Sequence, residues 1–410
     1  RHCLKLVSPK MIFISPRNRD LGAKYIEIAP LHEFGPDYEA ALSASEPTCP
    51  PDPCSPEDGV VILYTSGTTG LPKGALISHR AEISRTSAQM IDLPTTLDDA
   101  FVAWAPLFHM VSTDSVFATL IQGGTVIVTD GFNPTELANI VTTHQLGRLT
   151  LMPGMIEPFL SAMNDVGRPV KGVKWAGVMA DLVPRKQIAE VTTLLNAPYL
   201  NSFGSTETGL APASAGLIPI GEVPESLEKR QSSLCQIKLV DPDDTEVKIG
   251  EPGELAIRSP ALFSGYWNNE ATNTVDFRGG WFHMGDVFIR NSDHSLTFVD
   301  RRKYLIKSGG ENIYPAEIER VLLSDPRVAD AVVVRKPDPH WGEVPVAFIV
   351  RNDESLNGKD LLTLCLDRIA KYKWPKEFIF VTDVELPRST TGKIMRHELE
   401  SRMSKIEASE

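Results

Sequence analysis

A short stretch in the first quarter of the chain is rich in groups that bind anions. Residues 65–74 combine hydroxyl side chains, glycines and a lysine, in the order Thr65, Ser66, Gly67, Thr68, Thr69, Gly70, Leu71, Pro72, Lys73, Gly74. Glycines let backbone N–H groups turn toward an anion, hydroxyls add rotatable donors, and lysine adds a compact positive charge. The stretch is not a Walker A loop, because Pro precedes Lys73 and Gly follows it. Taken alone, it predicts either a phosphate-binding loop or a Gly/Thr-rich surface turn.

The elements around this stretch indicate an α/β architecture. A strand is predicted at Val60–Tyr64, directly before the glycine-rich stretch. Asn133 as N-cap and Pro134 in the first turn predict a helix through His144, and a strand is expected at Arg148–Met152. Such alternation is typical of buried strands covered by helices.

The second half of the chain has a different pattern. Short predicted strands at Cys235–Val240, Glu246–Ile249 and Gly253–Arg258 are separated by Asp-Pro-Asp-Asp and Gly-Glu-Pro-Gly turns, which indicates a small antiparallel unit. Beyond residue 300, a helix at Pro315–Leu323, strands and a helix at Lys359–Lys371 predict a separate α+β domain. We therefore predict a large domain at 1–300, with mixed sheets, helices and a small β unit, and a small mobile domain at 301–410.

Composition limits the partners. The chain has 410 residues, a formal net charge of −12 and five cysteines. The negative charge argues against a nucleic-acid partner, but it leaves room for a nucleotide, which needs only local donors and cations. No apolar run approaches the roughly 18–20 residues that span a bilayer. The few scattered cysteines indicate a reducing compartment, so we expect a cytoplasmic location.

The stretch at 65–74 closely resembles the signature loop of the adenylate-forming superfamily of acyl-CoA synthetases, peptide-synthetase adenylation domains and luciferases. The resemblance implies that this loop holds the β- and γ-phosphates of ATP. A second stretch, Asn201 to Gly209, resembles the family's aromatic-Gly-x-Thr-Glu motif. It implies that Phe203 and Gly204 line the adenine site, that Asn201 contacts the adenine amino group, that Thr206 bonds the α-phosphate and that Glu207 holds Mg²⁺. Phe203 stands where the family usually has Tyr, so a hydroxyl is lost and the stacking face is kept.

Two further segments match the family. Pro106-Leu107-Phe108-His109 is similar to a segment of CoA ligases whose His gates the acyl pocket and the thiol tunnel, although a lone His is more often structural. Trp281 to Asp286 resembles the segment whose Asp binds the ribose hydroxyls. For Asp286 the alternative is a capping carboxylate.

The remaining matches lie in the small domain. Asp300-Arg301-Arg302-Lys303 resembles the family's hinge, which implies that Arg301 contacts ribose or phosphate and that Lys303 is the pivot. Asp300 replaces the usual Gly. The segment from Lys307 to Glu319 is nearly identical to the family's, and its Ser308, Gly309 and Gly310 imply a close backbone approach to the pantetheine of coenzyme A. Lys393, in Thr-Thr-Gly-Lys-Ile-Met-Arg, corresponds to the lysine that bridges the acyl carboxylate and the α-phosphate.

The front of the chain departs from the family. The phosphate loop normally lies well over a hundred residues from the N-terminus, whereas here it begins near residue 65. We place the resemblance at about residues 60–400 and expect part of the N-terminal region to be lacking. That region often contributes to dimerisation in the family, so a homodimer is one expectation.

The resemblance implies a ligase that joins a small-molecule carboxylic acid to coenzyme A through an acyl-AMP intermediate, using ATP and Mg²⁺. His109 and the glycine-rich segment at 307–315 favour free CoA as the acceptor. Two alternatives stay open: an adenylating enzyme with a carrier-protein or nitrogen acceptor, and a nucleotide-binding remnant that no longer turns over. Fatty, aryl and short-chain acids are all compatible with the sequence.

Overall fold

The computed structural model describes residues 1–49, 51, 53–65, 71–366, 368–388 and 394–407, with only the backbone at 404–407. The predicted site residues Ser66, Gly67, Thr68, Thr69, Gly70 and Lys393 lie outside these described residues. The chain divides into two compact units, Arg1–Ile237 with Ile257–Phe282, and Lys238–Ala256 with His283–Glu410. The second unit therefore includes residues that we assigned to the large domain. The predicted small mobile domain that begins at Arg301 stays a prediction.

The first unit opens with short elements and an antiparallel hairpin. Strands β1 and β2 pair in parallel, and β3 pairs with β4 antiparallel. Ser78 begins the helix after this hairpin, because its hydroxyl accepts from the Ala81 N–H. The elements are α1 (His2–Val7), β1 (Ile12–Ile14), α2 (Arg19–Ala23), β2 (Leu31–Glu33), α3 (Pro36–Ala44), β3 (Gly59–Thr65), β4 (Lys73–Ser78) and α4 (His79–Asp92).

A mainly parallel sheet follows, with the strand order β12-β9-β8-β7-β5-β6, in which only β12 and β9 pair antiparallel. Strands β5 and β7 are buried along their whole length, as in sheets covered on both faces. The elements are β5 (Ala100–Ala103), α5 (Met110–Ile121), β6 (Thr125–Val128), α6 (Pro134–Thr143), β7 (Leu146–Leu149), α7 (Ile156–Val166), β8 (Val173–Ala176), α8 (Arg185–Leu195), β9 (Tyr199–Leu200), β10 (Gly204–Ser205), β11 (Gly209–Pro212), β12 (Leu217–Ile218) and α9 (Glu270–Asp276).

The second unit contains two sheets. One has the order β13-β14-β15-β16, and the other has the order β18-β17-β20-β19 with β21 paired parallel to β20. The elements are β13 (Gln236–Val240), β14 (Pro252–Arg258), β15 (Phe282–Arg290), β16 (Leu296–Arg301), β17 (Ile306–Ser308), β18 (Glu311–Ile313), α10 (Pro315–Leu322), β19 (Val328–Asp338), β20 (Gly342–Arg351), α11 (Gly358–Cys365), β21 (Glu377–Val381) and α12 (Arg396–Glu407).

These elements confirm the predicted α/β class, the small β unit and most of the individual predictions. Asn133 caps α6, since its side chain accepts from the Glu136 N–H at 3.0 Å. The strand predicted at Arg148–Met152 lies earlier in the chain, at Leu146–Leu149. Two further predictions were wrong. Residues 246–249 form no strand, because a turn at 241–245 leaves only a single bridge between Val240 and Glu246. The helix predicted to reach Lys371 ends at Cys365, where the backbone of Leu366 leaves the helical region.

Each unit has its own apolar core. In the first unit, Leu151, Phe159 and Tyr199 are fully buried between the parallel sheet and helices α6, α7 and α8. In the second, Ile318 and Leu322 of α10 pack with Val333 and Ile349 on one face of the β19–β20 pair. In the parts of the chain that the structure describes, the helices are too short or too polar to cross a membrane.

A partly buried ion pair fixes the start of the C-terminal helix. The Arg396 guanidinium donates to both carboxylate oxygens of Glu319, at 2.5 and 2.9 Å, and to the Val333 carbonyl at 2.6 Å. It also lies over the Tyr304 ring, 4.8 Å from the centroid. The carboxylate of Glu319 raises the pKa of Arg396 against the effect of burial. This contact joins α12 to α10 and β19.

We expect Arg396→Met to destabilise the protein by about 3 kcal/mol, because it leaves the Glu319 carboxylate, whose side chain is only 13% exposed, without its counterion. Thermal and urea unfolding measure the loss. Arg402→Met is the matched control: Arg402 lies on the exposed side of the same helix and donates to the Glu385 carbonyl. The control should shift stability by less than about 0.5 kcal/mol. Equal stability of both variants would contradict the anchoring role of Arg396.

Candidate active site

The hairpin of β3 and β4 presents the predicted phosphate loop. Thr65 at the end of β3 lies opposite Lys73 at the start of β4 in the ladder, so the loop joins two paired strand ends. The Lys73 ammonium lies 3.6 Å from the centroid of the Tyr266 ring and 3.9 Å from Asp276 Oδ2. Lys73 is thus directed toward Tyr266 and Asp276, a pair of residues from far along the chain.

The Thr-Glu motif lies in a tight turn between β10 and β11. Gly204 allows the turn, because a Cβ there would lie 2.0 Å from the Gly209 carbonyl oxygen. Thr208 supports it from inside, accepting from the Ser205 N–H at 3.0 Å. Glu207 is half-buried at the tip, and its Oε1 accepts a hydrogen bond from the Tyr266 hydroxyl at 2.8 Å.

Tyr266 therefore contacts both Lys73 and Glu207. Burial raises the pKa of Tyr266, and the neighbouring Glu207 carboxylate raises it further, so the hydroxyl stays protonated and donates. In the described part of the chain, no group of three or more His, Cys, Asp or Glu side chains could hold a metal. A half-buried carboxylate such as Glu207 still fits Mg²⁺, which commonly binds one or two carboxylates plus phosphate oxygens.

A buried arginine supports the Thr-Glu turn from behind. Arg85 of α4 donates to the Thr206 carbonyl at 3.1 Å, to the Ala261 carbonyl at 3.0 Å and to Asp114 of α5 at 3.1 Å. Gly209 makes room for it, since a Cβ there would lie 2.8 Å from Arg85 Cδ. The sequence analysis missed Arg85. An arginine in a helix directly after a core strand could have indicated a buried residue with several hydrogen-bond partners.

Glu82 lies one turn before Arg85 and is 3% exposed. Its Oε1 is 4.0 Å from the Arg85 guanidinium, and neither carboxyl oxygen has a hydrogen-bond partner among the described residues. Burial and then the charge of Asp114 raise the pKa of Glu82 from 4.5 to about 8, despite the opposing effect of Arg85. Glu82 is therefore neutral at pH 7.

Two residues predicted to contact the adenine, Asn201 and Phe203, already make hydrogen bonds within the chain. Asn201 is buried, donates to the Glu228 carbonyl at 2.9 Å and accepts from the Lys229 ammonium. Lys229 is fully buried and pairs with Asp181 at 2.5 Å. Phe203 is half-buried, and its N–H donates to the Ala213 carbonyl at 3.0 Å. No motif pointed to Lys229, whose ammonium donates to the Asn201 side-chain oxygen and so orients the amide.

His109 is the N-cap of α5. Its Nδ1 accepts from the Val111 N–H at 3.3 Å, so the side chain has the structural role that we gave as the alternative. The neighbouring Leu107 and Phe108 are exposed. Capping fixes the ring at the head of the helix, and gating by His109 stays a prediction.

In the second unit the two predicted ribose-binding residues meet. Asp286 of β15 is paired with Arg301 of β16, and the Arg301 Nε lies 3.2 Å from Asp286 Oδ1. Asp300, the residue that replaces the usual Gly, is buried and accepts from the Ala316 N–H at 2.8 Å. Asp300 therefore caps α10, a role that the sequence analysis missed.

The residues predicted to form the hinge and the pantetheine channel come next along the chain, after Arg301. Lys303 is exposed in a 3-10 turn, Arg302–Tyr304. Ser308 ends β17, and Gly309 and Gly310 form the turn to β18 with φ of 58° and 88°. A Cβ at Gly309 would lie 2.7 Å from the Trp341 ring, so both conformation and space require glycine there.

The raised pKa of Glu82 predicts a pH dependence of stability. The folded state binds a proton that the unfolded state releases, so the free energy of unfolding should fall as pH rises from about 4.5 to about 8. Glu82→Gln should reduce that slope by the contribution of one carboxyl group, whereas Glu39→Gln at an exposed position of α3 should keep it in full. Urea unfolding across this range measures both, and identical slopes for wild type and Glu82→Gln would contradict a protonated Glu82.

The family model described as AMP-binding enzyme matches residues 1–267, and that of the AMP-binding enzyme C-terminal domain matches residues 317–393. The match begins at residue 1, well before residue 60, where we placed the start of the resemblance.

The chain is 33% identical over 367 residues to the indoleacetate–CoA ligase of Aromatoleum aromaticum, covering 88% of this chain and 71% of that protein. The o-succinylbenzoate CoA synthetase of Bacillus subtilis, solved with an acyl-adenylate intermediate, superposes with a TM-score of 0.82 at 26% identity, covering 97% of this chain and 79% of that one. The same enzyme solved with ATP and magnesium gives 0.80 at 26% identity, covering 97% and 80%. The chain belongs to the AMP-binding enzyme family, the adenylate-forming family that the motifs indicated.

Proposed function

We propose that this chain is an AMP-forming carboxylic acid–CoA ligase that uses ATP and Mg²⁺ and works through an acyl adenylate. The observation that carries the proposal is the convergence of Lys73 and Glu207 on Tyr266. It brings together the cation that we assign to the phosphates and the carboxylate that we assign to Mg²⁺, in a chain whose relatives are named as acid–CoA ligases or synthetases.

In the first half-reaction, an oxygen of the substrate carboxylate attacks the α-phosphorus of ATP, and the bond to pyrophosphate breaks. We assign the β- and γ-phosphates to Lys73, Thr65 and the loop 66–70, and the α-phosphate to Thr206. Glu207 would hold Mg²⁺, which offsets the negative charge of the phosphates when bound. Asp286 and Arg301 would bind the ribose, and Lys393 would stabilise the charge that develops between carboxylate and phosphate.

In the second half-reaction, the sulfur of CoA attacks the acyl carbonyl and AMP leaves. Hydroxide is a poor leaving group from a carboxylic acid, whereas AMP is a good one, so the adenylate makes thioester formation feasible. The turn at Ser308, Gly309 and Gly310 would admit the pantetheine, because positive φ and close packing against Trp341 leave backbone rather than side chain at its surface. A rotation about Lys303 between the two steps is part of the proposal.

The acids named for the relatives, indoleacetate and o-succinylbenzoate, both carry an aromatic ring. We therefore propose an aryl-substituted acid as the first substrate class to test, ahead of fatty and short-chain acids. We also propose a cytoplasmic location, in keeping with the few and scattered cysteines of the sequence, and a homodimer as the assembly to test first.

Pyrophosphate release from ATP and Mg²⁺ with a panel of carboxylic acids, each with and without CoA, tests the proposal. Release that requires both an acid and CoA, with acyl-CoA as product, supports the ligase and names its acid class. Adenylate formation without transfer of the acyl group to CoA, at a rate that CoA does not change, supports a different acceptor. ATP binding without release for any acid supports a non-catalytic nucleotide-binding protein and overturns the ligase.

Replacement of Lys393 should separate the two half-reactions. We expect Lys393→Ala to lower pyrophosphate release at least about 100-fold, because it removes a charge that acts only in the transition state. Thioester formation from supplied acyl-AMP and CoA should stay within about threefold of wild type, because Lys393 is assigned to the first step alone.

Lys371→Ala is the control, since Lys371 is an exposed lysine of the same unit with no assigned role. Both half-reactions should proceed at wild-type rates in this variant. Equal losses in both steps for Lys393→Ala would contradict its assignment to adenylation.

A further inference from the structure

Tyr266 lies on a segment that is bound to the phosphate-loop hairpin by its backbone. The Ser264 N–H donates to the Leu76 carbonyl at 2.8 Å, the Leu76 N–H donates to the Gly265 carbonyl at 3.0 Å, and the Trp267 N–H donates to the Gly74 carbonyl at 2.7 Å. This short ladder places residues 264–267 along β4. The backbone of Tyr266 is therefore positioned by the hairpin that carries Lys73.

The Tyr266 side chain is fixed independently of the two groups that it contacts. Asn273 accepts from the Tyr266 N–H at 2.7 Å and donates to the Tyr266 carbonyl at 2.9 Å. The ring meets Phe263 edge to face, with centroids 4.9 Å apart, and the whole residue is 6% exposed. Because the Tyr266 ring is held in place, it can in turn hold the side chains of Lys73 and Glu207 in position.

The hydroxyl and the ring act on different partners. The hydroxyl donates to Glu207 Oε1 at 2.8 Å, which fixes one carboxylate oxygen and with it the direction of the other. The ring face receives the Lys73 ammonium at 3.6 Å, which orients the lysine without taking one of its N–H protons. One residue thus sets both the metal-binding carboxylate and the phosphate-loop cation.

We propose that Tyr266 is a positioning residue that aligns Glu207 for Mg²⁺ through its hydroxyl and Lys73 for the ATP phosphates through its ring. The proposal rests on the roles given to Glu207 and Lys73 under the proposed function. It extends that function by naming the group that couples the two.

The hydroxyl and the ring are separable by substitution. Tyr266→Phe keeps the ring and removes the hydroxyl, so ATP binding in EDTA should stay within about twofold of wild type. The strengthening of ATP binding by Mg²⁺ should fall about tenfold, as expected for the loss of one hydrogen bond to a charged group. Tyr266→Leu removes the ring as well and should also weaken ATP binding in EDTA. Calorimetry with and without Mg²⁺ measures these affinities.

Tyr64→Phe is the matched control. Tyr64 is a partly buried tyrosine of β3 whose hydroxyl donates to the Cys3 carbonyl at 2.8 Å. Its removal should leave the Mg²⁺ effect unchanged. The double variant Glu207→Gln with Tyr266→Phe tests whether the hydroxyl acts through the Glu207 carboxylate. If it does, adding Tyr266→Phe to Glu207→Gln should change the strengthening of ATP binding by Mg²⁺ less than about twofold.

A fluorine label gives a second readout in a protein that keeps both ring and hydroxyl. With 3-fluorotyrosine at position 266, the ¹⁹F resonance should shift when Mg²⁺ joins bound ATP. The same label in Glu207→Gln should not respond.

Two results would overturn the proposal. One is an unchanged Mg²⁺ effect in Tyr266→Phe together with a ¹⁹F resonance that ignores Mg²⁺. The other is an equal loss of ATP affinity with and without Mg²⁺, accompanied by a lower melting temperature, which marks a purely structural role. Binding is measured without turnover, so a wild-type protein that binds ATP and Mg²⁺ but releases no pyrophosphate would refute the ligase and still decide the role of Tyr266.

Discussion

The hydrogen bond from Tyr266 to Glu207 joins parts of the first unit that are distant in sequence. A two-stranded hairpin is at best marginally stable on its own, so the positions of its strand ends, Thr65 and Lys73, depend on what else they contact. Here the hairpin is paired with residues 264–267, and the same segment contacts the Thr-Glu turn through the Tyr266 hydroxyl. The relative placement of cation and carboxylate therefore follows from one short segment of backbone.

Behind that contact, the site is supported by buried charges. Arg85 links α4, α5 and the Thr206 carbonyl, and Lys229 orients the amide of Asn201. Each is largely removed from water and is compensated by an acidic partner, Asp114 or Asp181. A buried pair of this kind adds little net stability, but it resists rearrangement because separating the partners leaves a charge uncompensated. The first unit thus uses charge to fix the geometry of its predicted nucleotide site.

Most candidate site residues could be named from the sequence because they lie in contiguous motifs. The structure pairs Asp286 with Arg301 and gives Gly309 and Gly310 positive φ, while their roles toward ribose and coenzyme A stay predictions. Tyr266, Arg85 and Lys229 could not be found in this way, because each acts on a residue far away in sequence. The strand predicted at 246–249 was wrong because strand formation also depends on a pairing partner. Residues 246–249 have an alternating pattern, but after the preceding turn they form only one bridge, between Val240 and Glu246. The first sixty residues were also missed, since they contain none of the motifs.

The cap that Asp300 provides to α10 bears on the proposed rotation. Asp300 precedes Lys303 and Ala316 follows it, so their hydrogen bond crosses the predicted pivot. Arg396, Glu319 and Tyr304 all lie after the pivot and would move together. A rotation about Lys303 would uncap α10 and expose a carboxylate that is now buried. If Lys303 is the pivot, an Asp in place of the usual Gly would favour the arrangement in which this bond is intact. Residue 300 would then influence how long the protein spends in each half-reaction.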